Sequence, residues 1–238
     1  MFAYQVTAAM AIAIVSAALG PVPAQAGDSP VLAELFTSLA CSSCPPADRV
    51  LGDLAGRPDV LALSFHVDYW DGLGWKDPYS LRLATMRQRH YALTLGSETY
   101  TPQLVVDGRN ETVGSERGNV EFLMRQPRRQ LAAASIRTEG NDFKVTVGGV
   151  SAPATASILL VTFDPAHRTP VRGGENGGRL LDTFNAVRSL RSGGEWQGQP
   201  VNLDLPRTEA EIGDRAAIIV QSDDGTVWAL AAMPSNAS

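Results

Sequence analysis

The sequence predicts an α/β domain followed by a β-rich, sandwich-like domain. In the first half, the apolar runs PVLAELFTS and VLALSFHV have the length of buried strands and flank a helical segment. Two strands joined by a helix are expected to be parallel, with a right-handed crossover. In the second half, short β-rich runs alternate with Gly, Pro, Asn and Asp, which is typical of an antiparallel sandwich.

Length and composition are those of a globular protein. The chain has 238 residues, of which 44% are hydrophobic and 19% charged, and it carries a net charge of −5. This length allows one large or two modest domains. The change of pattern near Arg129 predicts one domain over residues 27–130 and a second over 131–238. The acidic balance lacks the basic excess that nucleic-acid binding needs, so no nucleic-acid partner is expected.

The N-terminus predicts a secretory signal peptide over residues 1–26. An uncharged apolar run, TAAMAIAIVSAALG, precedes an Ala-x-Ala cleavage pattern at Ala24-Gln25-Ala26. The alternative is a buried N-terminal helix. The run is shorter than the ~20 residues of a membrane span, so no stable span is expected after cleavage. A periplasmic or secreted protein follows, in an oxidising compartment where disulfides persist.

The remaining elements of the first half follow from local signals. Pro45-Pro46 suits the first turn of a helix, which Gly56 ends. After the second strand comes the aromatic loop DYWDGLGWKD, and Asp77-Pro78 is predicted to cap a helix that stops at Gly96. Asp107-Gly108 predicts a hairpin turn, and Ser115 is a candidate cap for the last helix. In the second half, the segment RGGENGGRLLDTFNAVRSLRSGGEWQG is either a long hairpin or a loop with one short helix.

The only two cysteines, Cys41 and Cys44, form a Cys-x-x-Cys motif between a strand and a helix. The unpaired N–H groups and the dipole of a helix N-terminus stabilise a thiolate, which would favour Cys41 as a nucleophile. A disulfide across two residues closes a small ring and is a poor structural staple. Three interpretations remain open at this point: a redox pair, a metal-thiolate site and an inert disulfide.

The motif and its surroundings resemble a thioredoxin-like domain. LAELFTSLACSSC is similar to the strand and active-site loop of that fold, and TPQLVVDGRNETVG is similar to its cis-proline stretch and hairpin. The resemblance implies that Pro102 is the cis residue and that Thr101 offers backbone groups to an extended substrate. The first domain is therefore expected to be thioredoxin-like.

A longer pattern resembles one family of exported bacterial proteins, a domain of unknown function with a thioredoxin-like fold. The pattern comprises ELFTSLACSSCPPAD, LSFHVDYWDGLGWKDP, YTPQLVVDGR, RGGENGGRLL and NAVRSL. It covers nearly all of the chain after the leader. It implies fold and compartment, and says little about the reaction. SLACSSC and RGGEN depart slightly from the usual family sequence, and neither departure affects the cysteine pair.

His66 keeps a metal-binding alternative open. It ends the second strand, at the edge where open α/β sheets place their ligands. Cys41, Cys44 and His66 would form a soft three-ligand set suited to Cu(I), or to Zn(II) with one open position. A lone histidine at a strand end is more often a packed or hydrogen-bonded residue. His90, among arginines on a helix, is expected to be solvated.

Further candidates surround the pair. Tyr69 and Trp70 either wall a substrate groove or cover the edge of the core. Glu34 is a candidate proton relay to the second cysteine, as a buried carboxylate in this strand is in thioredoxin-like proteins. Its offset from the motif differs by one residue, which changes the face it points to. Asp48 and Arg49 either tune the thiols or are exposed.

Thiol–disulfide exchange with exported protein thiols or disulfides is the function the sequence favours. Cys41 would attack and Cys44 would resolve the mixed disulfide, with no organic cofactor. The chain would then be a thiol–disulfide oxidoreductase. A non-catalytic binding module, in which the β-rich half recognises a partner, is the third alternative. The direction of electron flow is open, because it depends on the reduction potential of the pair. The uncharged Ser42-Ser43 between the cysteines gives little information about that potential.

Overall fold

The computed structural model describes residues 29–151, 155–208 and 215–233. The predicted signal peptide, residues 1–26, lies outside these ranges. Within them, no helix combines the length and apolar character needed to cross a membrane.

The first half follows the predicted order of elements. Its strands and helices are β1 (Val31–Thr37), α1 (Pro45–Ala55), β2 (Val60–His66), α2 (Arg82–Leu95), β3 (Gln103–Val106), β4 (Asn110–Val113) and α3 (Arg117–Met124). The aromatic loop contains a 3₁₀ turn over Asp68–Leu73. Asp107 and Gly108 both have positive φ, 50° and 66°, in the turn of the β3–β4 hairpin. β3 and β4 pair antiparallel, which confirms the predicted hairpin, and Asp and Gly are residues that tolerate the positive φ of its turn.

Two helix starts differ from the sequence prediction. α2 begins at Arg82 and not at Asp77. The residues after Asp77 form a turn, in which the Ser80 N–H donates to the Asp77 carbonyl at 3.0 Å, and Leu81 is extended and pairs with Val67 in a short bridge. The carboxylate of Asp77 is bound elsewhere, as described below. α3 has Glu116 and not Ser115 at its N-cap.

The second half consists of seven described strands. These are β5 (Ala134–Glu139), β6 (Asp142–Val147), β7 (Ala156–Pro170), β8 (Leu180–Trp196), β9 (Val201–Pro206), β10 (Arg215–Gln221) and β11 (Val227–Ala232). β7 and β8 pair antiparallel over nearly their full lengths. The segment left open by the sequence is therefore a long hairpin, with a 3₁₀ turn over Gly174–Asn176 at its tip.

Strands from both halves share one mixed, eight-stranded sheet in the order β11-β10-β7-β8-β2-β1-β3-β4. β1 and β2 are parallel, as predicted. β8 joins them by pairing parallel to β2 at Ser64 and Ala186, and Asn185 Nδ2 donates to the carbonyl of Ala62 at 2.8 Å. The fold is therefore mixed α/β around a large sheet to which the second half contributes four strands. The division at residues 130/131 stays a prediction.

The helices cover opposite faces of this sheet in the first half. Val31, Ala33 and Leu35 of β1 pack with apolar residues of α1 and α3. The alternate residues, Leu32 and Phe36, pack on the other face with Tyr91 of α2. Beyond β8, the three-stranded sheet β5-β6-β9 packs over β7, β10 and β11. That second layer is the sandwich-like part of the molecule.

Candidate functional site

The two cysteines form a disulfide between β1 and α1, with their Cα atoms 5.5 Å apart. Cys44 is the N-cap residue of α1, and its carbonyl accepts the N–H groups of Ala47 and Asp48 at 2.8 and 3.0 Å. Cys41 lies one turn earlier, so Cys44 and not Cys41 occupies the start of the helix. Both cysteines are fully buried.

The loop before β3 lies against the disulfide. The Thr101–Pro102 peptide bond is cis, as the sequence resemblance implied. Thr101 Oγ1 donates to Cys41 Sγ at 3.4 Å, and Ser43 Oγ lies 3.3 Å from the same sulfur. Ser43 Oγ also lies 3.4 Å from the carbonyl oxygen of Thr101, its acceptor. Two hydroxyl groups therefore converge on Cys41.

The aromatic segment reaches this loop through Trp70. Its Nε1 donates to Thr101 Oγ1 at 2.9 Å, which links the indole to Cys41 through one hydroxyl. Tyr69 is 44% exposed, and its hydroxyl donates to Gln88 Oε1 at 3.2 Å. The structure thus brings Trp70 and Thr101 together beside the pair and leaves the Tyr69 ring open to solvent.

The tip of the β7–β8 hairpin, residues 173–177, lies over the cysteine loop and is called the strap here. The carboxylate of Glu175 accepts the backbone N–H of Ser42 at 2.9 Å and the Ser42 hydroxyl at 2.7 Å. These hydrogen bonds hold the pKa of Glu175 below its usual value, so the side chain is ionised at neutral pH.

The strap is also fixed to the loop backbone. Asn176 Nδ2 donates to the carbonyls of Leu39 and Cys41 at 3.0 and 2.7 Å, and Glu175 N–H donates to that of Ala40 at 3.0 Å. Gly174 has a φ of +68°, and a Cβ there would lie 2.6 Å from the Cβ of Ala40. Only glycine allows this close approach.

Beneath the disulfide, a buried polar network begins at Asp48 of α1. Thr37 Oγ1 donates to Asp48 Oδ1 at 3.0 Å. Burial raises the pKa of Asp48 to about 7, against the opposing effects of His66 and the Thr37 hydrogen bond. A carboxyl group that titrates near neutral pH therefore lies one helical turn from Cys44.

His66 and Asp77 continue this network. His66 Nδ1 lies 2.8 Å from Asp77 Oδ2, which also accepts the Leu39 N–H at 2.7 Å. Burial lowers the pKa of His66, but the charges of Asp77 and Asp48 outweigh it and leave the pKa above its usual value. His66 Nε2 is buried and has no hydrogen-bond partner among the described residues.

The alternative metal set of Cys41, Cys44 and His66 needs free thiols, and in this structure both sulfurs are in the disulfide. In the ranges that the structure describes, no group of three or more His, Cys, Asp or Glu side chains could hold a metal ion. His66 is instead a buried, hydrogen-bonded residue, which is the commoner fate of a histidine at a strand end.

The structure also does not bring Glu34 to the cysteines. Its carboxylate forms a buried ion pair with Arg87, at 2.6 and 3.0 Å, and accepts the Tyr91 hydroxyl. Glu34 shares its face of β1 with Leu32 and Phe36, which is the α2 face, whereas α1 covers the other. The one-residue offset of Glu34 from the usual position therefore places its carboxylate on the α2 face of β1, away from the face that α1 covers.

Sequence reasoning missed the strap and undervalued Asp48. Glu175 and Asn176 lie in the RGGENGG segment, which already belonged to the recognised pattern. Asp48 precedes Leu51 by three residues, and this helical spacing indicates the buried face of α1. Nothing local in the sequence indicates that the strap lies over Ser42, because that contact joins the two halves of the chain.

Comparisons with known proteins identify a family. The model of the family described as "Protein of unknown function (DUF1223)" matches residues 32–221. No curated protein matches the chain.

Two solved structures are similar to this one. An X-ray crystal structure of a protein from Agrobacterium tumefaciens is 26% identical, with a TM-score of 0.76, and the match covers 89% of this chain and 97% of that one. HBP35 of Porphyromonas gingivalis is 13% identical, with a TM-score of 0.57, covering 88% and 76%. The second match is a likeness of fold alone.

Proposed function

The chain belongs to the DUF1223 family of proteins of unknown function, and we propose that it carries out thiol–disulfide exchange on a thioredoxin-like N-terminal domain. The observation that carries the proposal is the Cys41–Cys44 disulfide at the start of α1, with Thr101 and the cis Pro102 directly against it. A redox pair at a helix N-terminus has the local electrostatics that stabilise a thiolate.

Cys41 is the nucleophile in this proposal. When the pair is reduced, the Cys41 thiolate attacks a substrate disulfide, forms a mixed disulfide and expels the first substrate thiolate. Cys44 then attacks the Cys41 sulfur, closes the intramolecular disulfide and releases the second substrate thiolate. Two electrons pass to the substrate. The hydroxyl of Thr101 supports this assignment, because it donates to Cys41 Sγ and would stabilise a thiolate there.

The substrate is an exported protein thiol or disulfide. An extended segment of it would run along Thr101-Pro102, with Trp70 and Tyr69 forming the adjacent wall. An oxidising, exported compartment agrees with an intramolecular disulfide in a chain that has only these two cysteines. No organic cofactor enters the reaction, since the disulfide itself carries the electrons.

The test is catalysed reduction of a protein disulfide with insulin as substrate and dithiothreitol as electron donor. We expect the wild-type chain to accelerate the reaction, Cys41→Ser to abolish the acceleration, and Cys44→Ser to accumulate a mixed disulfide detectable by mass spectrometry. Ser135→Ala, an exposed position of β5 away from the motif, is the control.

A wild-type protein that neither accelerates exchange nor forms a mixed disulfide through Cys44→Ser would overturn the proposal. In that case, saturable binding of Cu(I) or Zn(II) to the reduced protein would favour the metal-carrier alternative. Absence of such binding would favour a binding module.

A further inference from the structure

The cysteine loop receives one charged group from the second half of the chain. Of the side chains that the structure shows hydrogen-bonded to residues 41–44, only that of Glu175 carries a charge. Its carboxylate binds the N–H of Ser42, which belongs to the peptide bond directly after Cys41. The negative charge of Glu175 is therefore hydrogen-bonded to the residue that directly follows Cys41, the proposed nucleophile.

The other charged groups nearby are bonded elsewhere. On the α1 side of the disulfide, the raised pKa of His66 sets a positive charge against the carboxylate of Asp77, to which it is hydrogen-bonded. Arg179 touches the strap, but its guanidinium donates to Asn176 Oδ1 and not to the cysteine loop. Between the cysteines stand two serines, which carry no charge. Glu175 is therefore the charged side chain that the structure shows in direct contact with the cysteine loop.

We infer that Glu175 sets the direction of electron flow, by making the Cys41–Cys44 pair a reductant of substrate disulfides. This inference rests on the proposed thiol–disulfide exchange. A thiolate at Cys41 exists only in the reduced state, and a carboxylate beside it raises the free energy of that state. A dithiol whose reduced form is destabilised gives up its electrons readily, whereas a strong oxidant has a stabilised reduced form.

The two hydrogen bonds from Ser42 fix the Glu175 carboxylate against the loop, and a charge-assisted hydrogen bond is about twice as strong as a neutral one. The substrate disulfide accepts two electrons and is released as two thiols, while the pair is left oxidised. A dithiol electron donor in the same compartment must then reduce Cys41–Cys44 before the next cycle.

The test compares equilibrium constants of the pair against dithiothreitol or glutathione buffers at pH 7. Glu175→Gln removes the charge and keeps a side-chain oxygen that can accept the Ser42 N–H. We expect it to shift the equilibrium about tenfold towards the reduced form, which corresponds to about 30 mV for this two-electron couple. The wild-type potential should lie towards the reducing end of the range that this fold spans.

Glu195→Gln is the matched control, because it removes an exposed charge from the same hairpin, at the other end of β8. We expect it to change the equilibrium less than twofold. As a second readout, Cys41 in the reduced Glu175→Gln protein should be alkylated by iodoacetamide faster than in the wild type near neutral pH. Faster alkylation would reflect a larger thiolate fraction.

An equilibrium constant of Glu175→Gln within twofold of the wild type, or a shift towards the oxidised form, would overturn the inference. This outcome is distinguishable from failure of the proposed function, because equilibration with small thiols needs no protein substrate. If insulin reduction fails while the tenfold shift is found, Glu175 tunes a pair that does not act on proteins. If insulin reduction succeeds but the equilibrium constant of Glu175→Gln does not shift, thiol–disulfide exchange is supported and the role of Glu175 is refuted.

Discussion

Two buried carboxylates lie on opposite faces of the sheet and differ in how their charge is balanced. Glu34, on the α2 face, is bound by the guanidinium of Arg87 and the hydroxyl of Tyr91. Asp48, on the α1 face, accepts a neutral hydroxyl from Thr37, and its pKa is raised to about 7. The fully paired carboxylate has a structural role, whereas the incompletely paired one lies beside the disulfide, where a titrating group can act in chemistry.

The largest effect on stability is expected from breaking the buried ion pair between Arg87 and Glu34. Arg87→Met would leave Glu34 buried and charged without its ion-pair partner, and removing one member of such a pair costs about 3–5 kcal/mol. The free energy of unfolding from urea titration at pH 7 measures this. Combining the change with Glu34→Gln should restore much of the loss. A single variant as stable as the wild type would show that the ion pair does not hold the α2 face.

Removing the charge of Asp48 should have the opposite effect and raise the free energy of unfolding above pH 7. A carboxyl group whose folded pKa lies above its unfolded value binds its proton more tightly when folded. The stability that it contributes is therefore present at low pH, and it is lost as the pH rises from about 4, the unfolded value, to about 7, the folded value.

Asp48→Asn should consequently be more stable than the wild type at pH 8, by about 2 kcal/mol once the weakened Thr37 hydrogen bond is subtracted. At pH 5 the two should be nearly equal. Unfolding free energies at both pH values measure the difference. Asp53→Asn, an exposed position of the same helix, is the control. A difference that does not change with pH would contradict the raised pKa.

A smaller effect should follow from loosening the strap above the disulfide. Asn176→Ala removes two hydrogen bonds to loop carbonyls, at an expected cost of about 1–2 kcal/mol. Because both cysteines are fully buried, a weaker strap should also let dithiothreitol reduce the disulfide severalfold faster. Asn202→Ala, exposed on β9, should change neither quantity. Unchanged reduction kinetics in Asn176→Ala would indicate that the strap does not limit access.

Local signals predicted much of the fold and part of the site. The Asp107-Gly108 turn, the proline-led start of α1 and the apolar runs of β1 and β2 each depend on a few neighbouring residues. Strand alternation alone was enough to question whether Glu34 lies on the same face of β1 as the cysteines. The pairing of β8 with β2, the strap over Ser42 and the bonds of Asp77 join distant segments, and no periodicity in the sequence encodes them.

The position of β8 beside β2 has a practical consequence for dividing this molecule. A fragment ending near residue 130 would keep both cysteines, the cis-proline loop and the three helices. It would also lose the strand that covers β2, leaving its N–H and C=O groups open to pairing with other chains. The same cut would remove Glu175 and Asn176. Such a fragment should be prone to aggregation, and its dithiol should not reproduce the reactivity of the intact protein.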